Sequence, residues 1–351
     1  MAPLVRALAA HATLDARLIL TGQHQGLADQ FAFLAPSSVL QLELDVRNRG
    51  VEPLRDLLHE ALCGAVAPMC PDLVLVQGDT ASACAGALAA RDCNIAVGHV
   101  EAGLRTHDDS QPYPEEGYRR LIDSLSTLLF APTVHAAANL GRERLTGSIH
   151  VTGNTGIDAL FEVAATLPPR SATAMLPRRI FVTCHRKENQ GDGMMRVAGA
   201  LKEIAATLPV EMTLPLHTNR HVRAEIEGLL AGIANINLVE PLSHSESVAE
   251  MLRSWLILTD SGGLQEEGAA LGIPVLVLRE VTERGEAPAN IELVGTDPTR
   301  IVDRVSALVH DELLHARMSV PSLAFGDGRA SARIVDLVAA FLGEERPALA
   351  M

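Results

Sequence analysis

Lysine is almost missing from this 351-residue chain: Lys187 and Lys202 are the only two, so arginine supplies nearly all of the positive charge. Basic residues number 29 against 43 acidic ones, a formal net charge of −14. Nucleic acid and anionic membrane both call for a basic surface, so neither is expected as a partner. Small anions remain possible ligands wherever arginines and helix N-termini gather locally. Aromatics make up only 3%. Cysteine is sparse and odd in number (Cys63, Cys70, Cys84, Cys93 and Cys184), with no C-x-x-C pair. That fits buried, reduced thiols in the cytoplasm better than a disulfide framework. No apolar run reaches the roughly 18 residues of a membrane span; the best, around 61–76, is broken by Pro68, Pro71 and Asp72. The opening "MAPLVRALAAHA" has Arg6 inside its apolar stretch and reads as an amphipathic helix rather than a signal peptide. G-x-G-x-x-G, Walker A and G-x-S-x-G patterns are all absent, which argues against nicotinamide, P-loop and α/β-hydrolase chemistry.

What the chain does have is a series of short apolar runs alternating with helical stretches. "RLILTG", "DLVLVQGD", "NIAVGHVE", "HVTGN", "RIFVTCH", "MTLPLH", "INLVEPL", "WLILTDSGG" and "PVLVLRE" read as strands. Their hydrophobicity is continuous rather than alternating, the mark of parallel strands covered by helices on both faces. The fold class is therefore α/β, doubly wound. A Pro-rich, pattern-free stretch at 167–179 makes a hinge between two such domains, 1–167 and 168–328.

Nearly every run ends in polar residues, and in open α/β sheets ligands bind outside the carboxyl ends of the strands. Turns are polar in any case, so each group has a plain reading beside the chemical one. Asp79 ends a strand before a helix capped by Thr80, and the next strand ends in His99 and Glu101. Three such groups in one crevice would push their pKa values apart, as acid/base work requires. "YPEEGYRR" starts a helix with Pro114 at or near its first position, and Glu115/Arg119 and Glu116/Arg120 form i,i+4 pairs. On a solvated face such pairs contribute only about 0.2–0.5 kcal/mol each. "TDSGGLQEE" is the best anion site: Ser261 at a cap, Gly262 and Gly263 open to a pyrophosphate, then Glu266 and Glu267 in the first turn, placed for ribose hydroxyls. Simple capping is the competing reading. His99, Glu101, His107, Asp108 and Asp109 lack metal-ligand spacing, so no metal is expected.

Taken together, "VQGDT", "VGHVEAGLRT", "PYPEE", "VTGNTGIDAL", "VTCHRKEN", "LPLH", "LTDSGGLQEE", "PVLVLREVTER" and "FGDGRAS" resemble the non-hydrolysing UDP-N-acetylglucosamine 2-epimerases, in the family's order and along essentially the whole chain. The resemblance implies a GT-B-like pair of Rossmann-type domains, with the active site in the cleft between them. It also implies a C-terminal helix, within 329–351, that crosses back to the first domain. The implied reaction inverts C2 of UDP-GlcNAc through a 2-acetamidoglucal, without nicotinamide or metal, and supplies cell-surface polysaccharide synthesis. The implied catalytic residues are Asp79, Glu101, Glu115 and His185. Arg119, His217, Ser261, Gly262, Gly263, Glu267 and Arg284 are the implied substrate-binding residues, and a homodimer is the implied assembly. One departure concerns the start: Met1 stands where the family has an internal Met-Ala-Pro-Leu, so the first strand and its G-T-R-P-E segment are expected to be absent and the first sheet to be opened. The rival readings are a GT-B glycosyltransferase and a catalytically silent UDP-sugar-binding remnant.

Overall fold

Runs such as "LVLVQ" and "LILT" have no polar face, and the chain buries them by laying helices on both sides of parallel sheets. The computed structural model describes residues 1–23, 31–46, 49–169, 176–184, 186, 189, 191–286 and 288–344. Two compact units emerge. Unit 1 comprises Met1–Ala159 and the chain from Gly326 onward, and unit 2 comprises Leu160–Phe325. The division falls at 159/160, whereas the sequence places the hinge at 167–179. Of that stretch, residues 170–175 lie outside the described residues, and Arg178 and Arg179 already belong to a strand.

Unit 1 runs α1 (Ala2–Ala10), β1 (Leu18–Leu20), β2 (Val39–Gln41), α2 (Val51–Met69), β3 (Leu73–Gln77), α3 (Ala81–Asp92) and β4 (Ala96–Val100). It continues with α4 (Glu115–Leu125), β5 (Leu128–Ala131), α5 (Val134–Arg142), β6 (Ser148–Val151) and the start of α6 (Thr155–Ala164). Its strands form two parallel sheets, β1-β2 and β3-β4-β5-β6. Side chains of β3 alternate between two helical layers. Leu73 and Leu75 join the cluster of α1 and the last helix, around Leu4, Phe130 and Val338. Val74 and Val76 join the cluster of α2 and α3, around Leu58, Leu62 and Ala85. Between the edge of β1 and the edge of β3 lies a cavity of about 1570 Å³, walled by both strands and by both helical layers.

Unit 2 runs β7 (Arg178–Thr183), α7 (Asp192–Thr207), β8 (Val210–Pro215), α8 (Arg220–Leu230), β9 (Ile236–Val239) and α9 (His244–Arg253). It continues with β10 (Leu256–Thr259), α10 (Gly262–Ala270), β11 (Val275–Val277), β12 (Ile291–Leu293), α11 (Pro298–His310) and α12 (Glu312–Met318). Its six strands pair in parallel in the order β12-β11-β10-β7-β8-β9. Counted from β7, this is the 3-2-1-4-5-6 order of a Rossmann-type sheet, and its switch point lies between β7 and β10.

The last helix, α13 (Ala330–Glu344), packs in unit 1, where Ile334, Val335 and Val338 join Leu4, Val100 and Phe130. Its first turn is capped from a distance: Asp158 accepts from the Ala330 amide at 3.0 Å and the Ser331 amide at 2.6 Å. The cysteines are all free, but only Cys84 and Cys184 are buried and Cys70 is exposed, so the expectation of buried thiols holds for part of the set. Among the described residues, no helix is long and apolar enough to cross a membrane.

Candidate active site

In unit 1 the polar groups gather at the carboxyl ends of β3 and β4. Gly78 takes a φ of +70°, a left-handed turn that glycine adopts without strain, and hands the chain from β3 to Asp79. Thr80 then caps α3, its hydroxyl accepting from the Ala83 amide at 3.2 Å. Glu101 follows β4 with a φ of +70° and is half-buried. A non-glycine residue in that region is uncommon and costs of order 1–3 kcal/mol, which the surrounding structure must offset.

Arg119 connects these strand ends to α4. It donates through Nε to Asp79 Oδ2 at 2.8 Å and through NH1 to Glu116 Oε2 at 3.0 Å. Glu116 is fully buried, and its carboxylate also accepts from the Thr106 and His107 amides at 3.1 and 3.2 Å. The i,i+4 pairs read from the sequence are therefore replaced: Arg119 pairs with Glu116 at i,i+3, and Arg120 turns to Asp109 at 3.0 Å. Pro114 occupies the N-cap position, next to the first helical residue Glu115, near where the sequence places it. Glu115 is the other acid of this first turn, and its Oε2 is buried without a hydrogen-bond partner among the described residues. A carboxylate oxygen in that state is costly unless something else engages it.

His99 is placed differently from the sequence reading. It is completely buried beneath the crevice floor, its Nδ1 donating to Asp123 Oδ1 at 2.5 Å and its Nε2 to the Gly78 carbonyl at 2.9 Å. Asp123 also accepts from Arg105 at 2.6 Å and from the Gly103 amide at 3.3 Å. Burial works against the charge on Asp123, but His99 and Arg105 outweigh it and hold the carboxyl below its ordinary range. This network ties the Gly78 turn to the 103–105 loop, so His99 positions Asp79 from below. Asp108 turns on itself to bind Ser110, as a loop residue does.

In unit 2 the polar groups gather at the switch point. Asp260, fully buried after β10, accepts from the Arg186 amide at 2.8 Å and from Asn189 at 3.0 Å. Ser261 takes the N-cap position of α10 but makes no side-chain capping bond, which leaves the helix start open to an outside acceptor. Gly262 lets the Arg284 guanidinium lie against this N-terminus: a Cβ there would sit 2.6 Å from it and push that side chain aside. Gly263 is exposed.

Arg284 donates to Glu266 at 2.8 Å and pairs with Glu283, which also binds Arg279 at 2.9 Å and lies 3.8 Å from Arg186. Three guanidinium groups thus share one buried carboxylate beside a positive helix end, an arrangement suited to a multiply charged anion. Sequence reading singled out Arg284 and noted Arg186 at a strand end but passed over Arg279 and Glu283; "REVTER" contains the signal, four charged residues within six positions just after a strand.

Glu266 and Glu267 lie beyond the first turn, which holds no acid, contrary to the sequence reading. Glu266 faces Arg284, while Glu267 lies 3.5 Å from His244, whose pKa its carboxylate raises. His217 is half-buried after β8, and its Nδ1 accepts from the Asn219 amide at 2.9 Å. His185 lies outside the described residues. One cluster of metal-ligating types stands elsewhere, His59, Cys63 and Asp92 on α2 and α3, with ligand atoms within 4.8 Å of one another. It shares no residue with the groups above.

Comparison with known proteins adds to this geometry. The family model for UDP-N-acetylglucosamine 2-epimerase matches residues 6–339. The chain is 40% identical to the UDP-N-acetylglucosamine 2-epimerase of Escherichia coli K12 over 353 residues, 96% of this chain and 94% of that one. It is likewise 40% identical to that of Salmonella typhimurium LT2 over 361 residues, 97% and 95% of the two chains. Among solved structures, UDP-GlcNAc 2-epimerase from Neisseria meningitidis bound to UDP-GlcNAc superposes with a TM-score of 0.88 at 34% identity, covering 97% of this chain and 96% of that one.

Proposed function

Because the chain belongs to the UDP-N-acetylglucosamine 2-epimerase family, we propose that it interconverts UDP-GlcNAc and UDP-ManNAc by inversion at C2. A carboxylate removes the C2 proton, the C1–O bond breaks, and UDP leaves a 2-acetamidoglucal with a C1=C2 double bond. A second acid then protonates the opposite face of C2 while the pyrophosphate oxygen returns to C1. Protons move and no hydride does, so the scheme contains no redox step.

Asp79, Glu101 and Glu115 are the acids for these transfers. Arg119 fixes Asp79 and keeps its charge matched. The α10 N-terminus with Ser261, Gly262, Gly263 and Arg284 receives the pyrophosphate, where charge grows as the C1–O bond breaks. Glu267 holds the ribose and His217 completes the binding set, while His185 is the remaining catalytic residue.

Glu115 carries this reading. A buried carboxylate oxygen without a hydrogen-bond partner among the described residues, at the start of the helix whose Arg119 grips Asp79, is placed for work on a ligand rather than for structure. Downstream, the reading places the chain in the cytoplasm as a homodimer whose product feeds cell-surface polysaccharide synthesis. Sedimentation at twice the 37.3 kDa chain mass tests the dimer.

Incubation with UDP-GlcNAc in D₂O tests the chemistry. Deuterium entering C2 together with UDP-ManNAc is the expected result. Sugar transfer to an acceptor without C2 exchange would make the chain a glycosyltransferase. Release of free ManNAc and UDP would make it a hydrolysing epimerase, and UDP binding with no exchange a silent remnant.

A further inference from the structure

We propose that His59, Cys63 and Asp92 take one zinc ion, which clips the middle of α2 to the carboxyl end of α3. The helix period builds the first half of this site. Leu58, Leu62 and Val66 recur at i,i+4 and form the buried stripe of α2. His59 and Cys63 stand one position further on, in the neighbouring stripe, where both are half-buried. Imidazole and thiol therefore lie one turn apart on one face of the helix.

The other half comes from α3. Asp92 is its last residue, and its Oδ2 lies 3.0 Å from His59 Nε2. The ligand atoms of His59, Cys63 and Asp92 all lie within 4.8 Å of one another. A tetrahedral ion with bonds of about 2.0–2.3 Å holds its ligand atoms roughly 3.3–3.8 Å apart. Shifts of about 1 Å close the set, and side chains at 30% and 42% exposure, as His59 and Asp92 are, have room to make them.

Charge and donor type select the ion. Cys63 as thiolate and Asp92 as carboxylate carry two negative charges, which balance a dication bound with neutral His59. Cys63 releases its thiol proton to solvent when the ion binds, and the His59 proton moves to Nδ1. Arg91 donates to Asp92 Oδ1 at 3.1 and 2.9 Å, which leaves Oδ2 to face the ion. The carboxyl end of α3 adds the negative end of the helix dipole. Calcium and magnesium call for all-oxygen shells, whereas one sulfur, one nitrogen and one oxygen suit zinc. Three protein ligands leave a fourth position for water.

Titration of the reduced, metal-stripped protein with cobalt(II) and then zinc tests the site. One equivalent of cobalt should give the intense visible bands of a tetrahedral centre and a thiolate-to-cobalt charge-transfer band. Zinc should displace it and raise the thermal midpoint. Cys63→Ser should remove the charge-transfer band, and Cys63→Ser, His59→Gln and Asp92→Asn should each weaken zinc binding by about tenfold or more. Cys70→Ser, which removes the exposed thiol at the end of α2, should bind like the parent. A weak octahedral spectrum without charge transfer, or equal zinc affinity in Cys63→Ser and the parent, would overturn the proposal. So would a charge-transfer band lost in Cys70→Ser.

Discussion

Glu115 and Glu116 stand side by side, carry the same charge and begin the same helix, yet one is fully engaged by its neighbours and the other leaves a buried carboxylate oxygen without a hydrogen-bond partner among the described residues. Glu116 satisfies two loop amides and Arg119 from a fully buried position. Glu116→Ala would leave a buried guanidinium short of a partner, and a loss of about 3–5 kcal/mol in urea unfolding is expected. Glu115→Gln should unfold within about 1 kcal/mol of the parent while C2 exchange falls by roughly 10²–10⁴; retained exchange would remove Glu115 from the mechanism. The sequence alone could not choose between the two, because i,i+4 spacing places both acids opposite an arginine and says nothing of which side faces inward. Asp123 was illegible for a related reason: its partners His99 and Arg105 lie 24 and 18 residues away. Its carboxyl is held below the ordinary range, so its contribution is present above the unfolded value near pH 4 and is lost as pH falls through the depressed one. Acid titration followed by circular dichroism should show this loss below about pH 4, and Asp123→Asn should abolish that component.

At the scale of elements, the strands that could be read were those whose apolar run is continuous and ends in a polar turn, as in "DLVLVQGD" and "WLILTDSGG". Three strands gave no such signal. β2 is three residues long and partly exposed, β12 contains the charged Glu292 paired with Arg304, and β5 is four residues enclosed between two helices. The cap of α13 was invisible because Asp158 precedes Ala330 by 172 residues, far outside any local window. Asp158→Ala should therefore cost about 0.5–2 kcal/mol, the usual range for an N-cap. Faster amide exchange confined to the start of α13 would locate the loss; exchange that rises uniformly would show that the cap is not its source.

For the whole molecule, the α/β class and parallel strands followed from composition and alternation, while strand order and the split of the first sheet arise from pairing between distant segments, which no run of residues encodes. The net charge of −14 is a whole-chain property, and it predicts no mobility shift of duplex DNA at 150 mM salt; a shift would point to a basic patch that the total conceals. The return of α13 to unit 1 has a consequence for biosynthesis. The cluster of Leu4, Val100 and Phe130 needs Ile334, Val335 and Val338, which leave the ribosome only after all of unit 2 has been translated. At about 5–20 residues per second the older half of the chain waits many seconds for its closing helix. Released chains truncated after Phe325 should show unit 2 resisting protease while unit 1 is still cleaved. Unit 1 is thereby the first begun and the last completed.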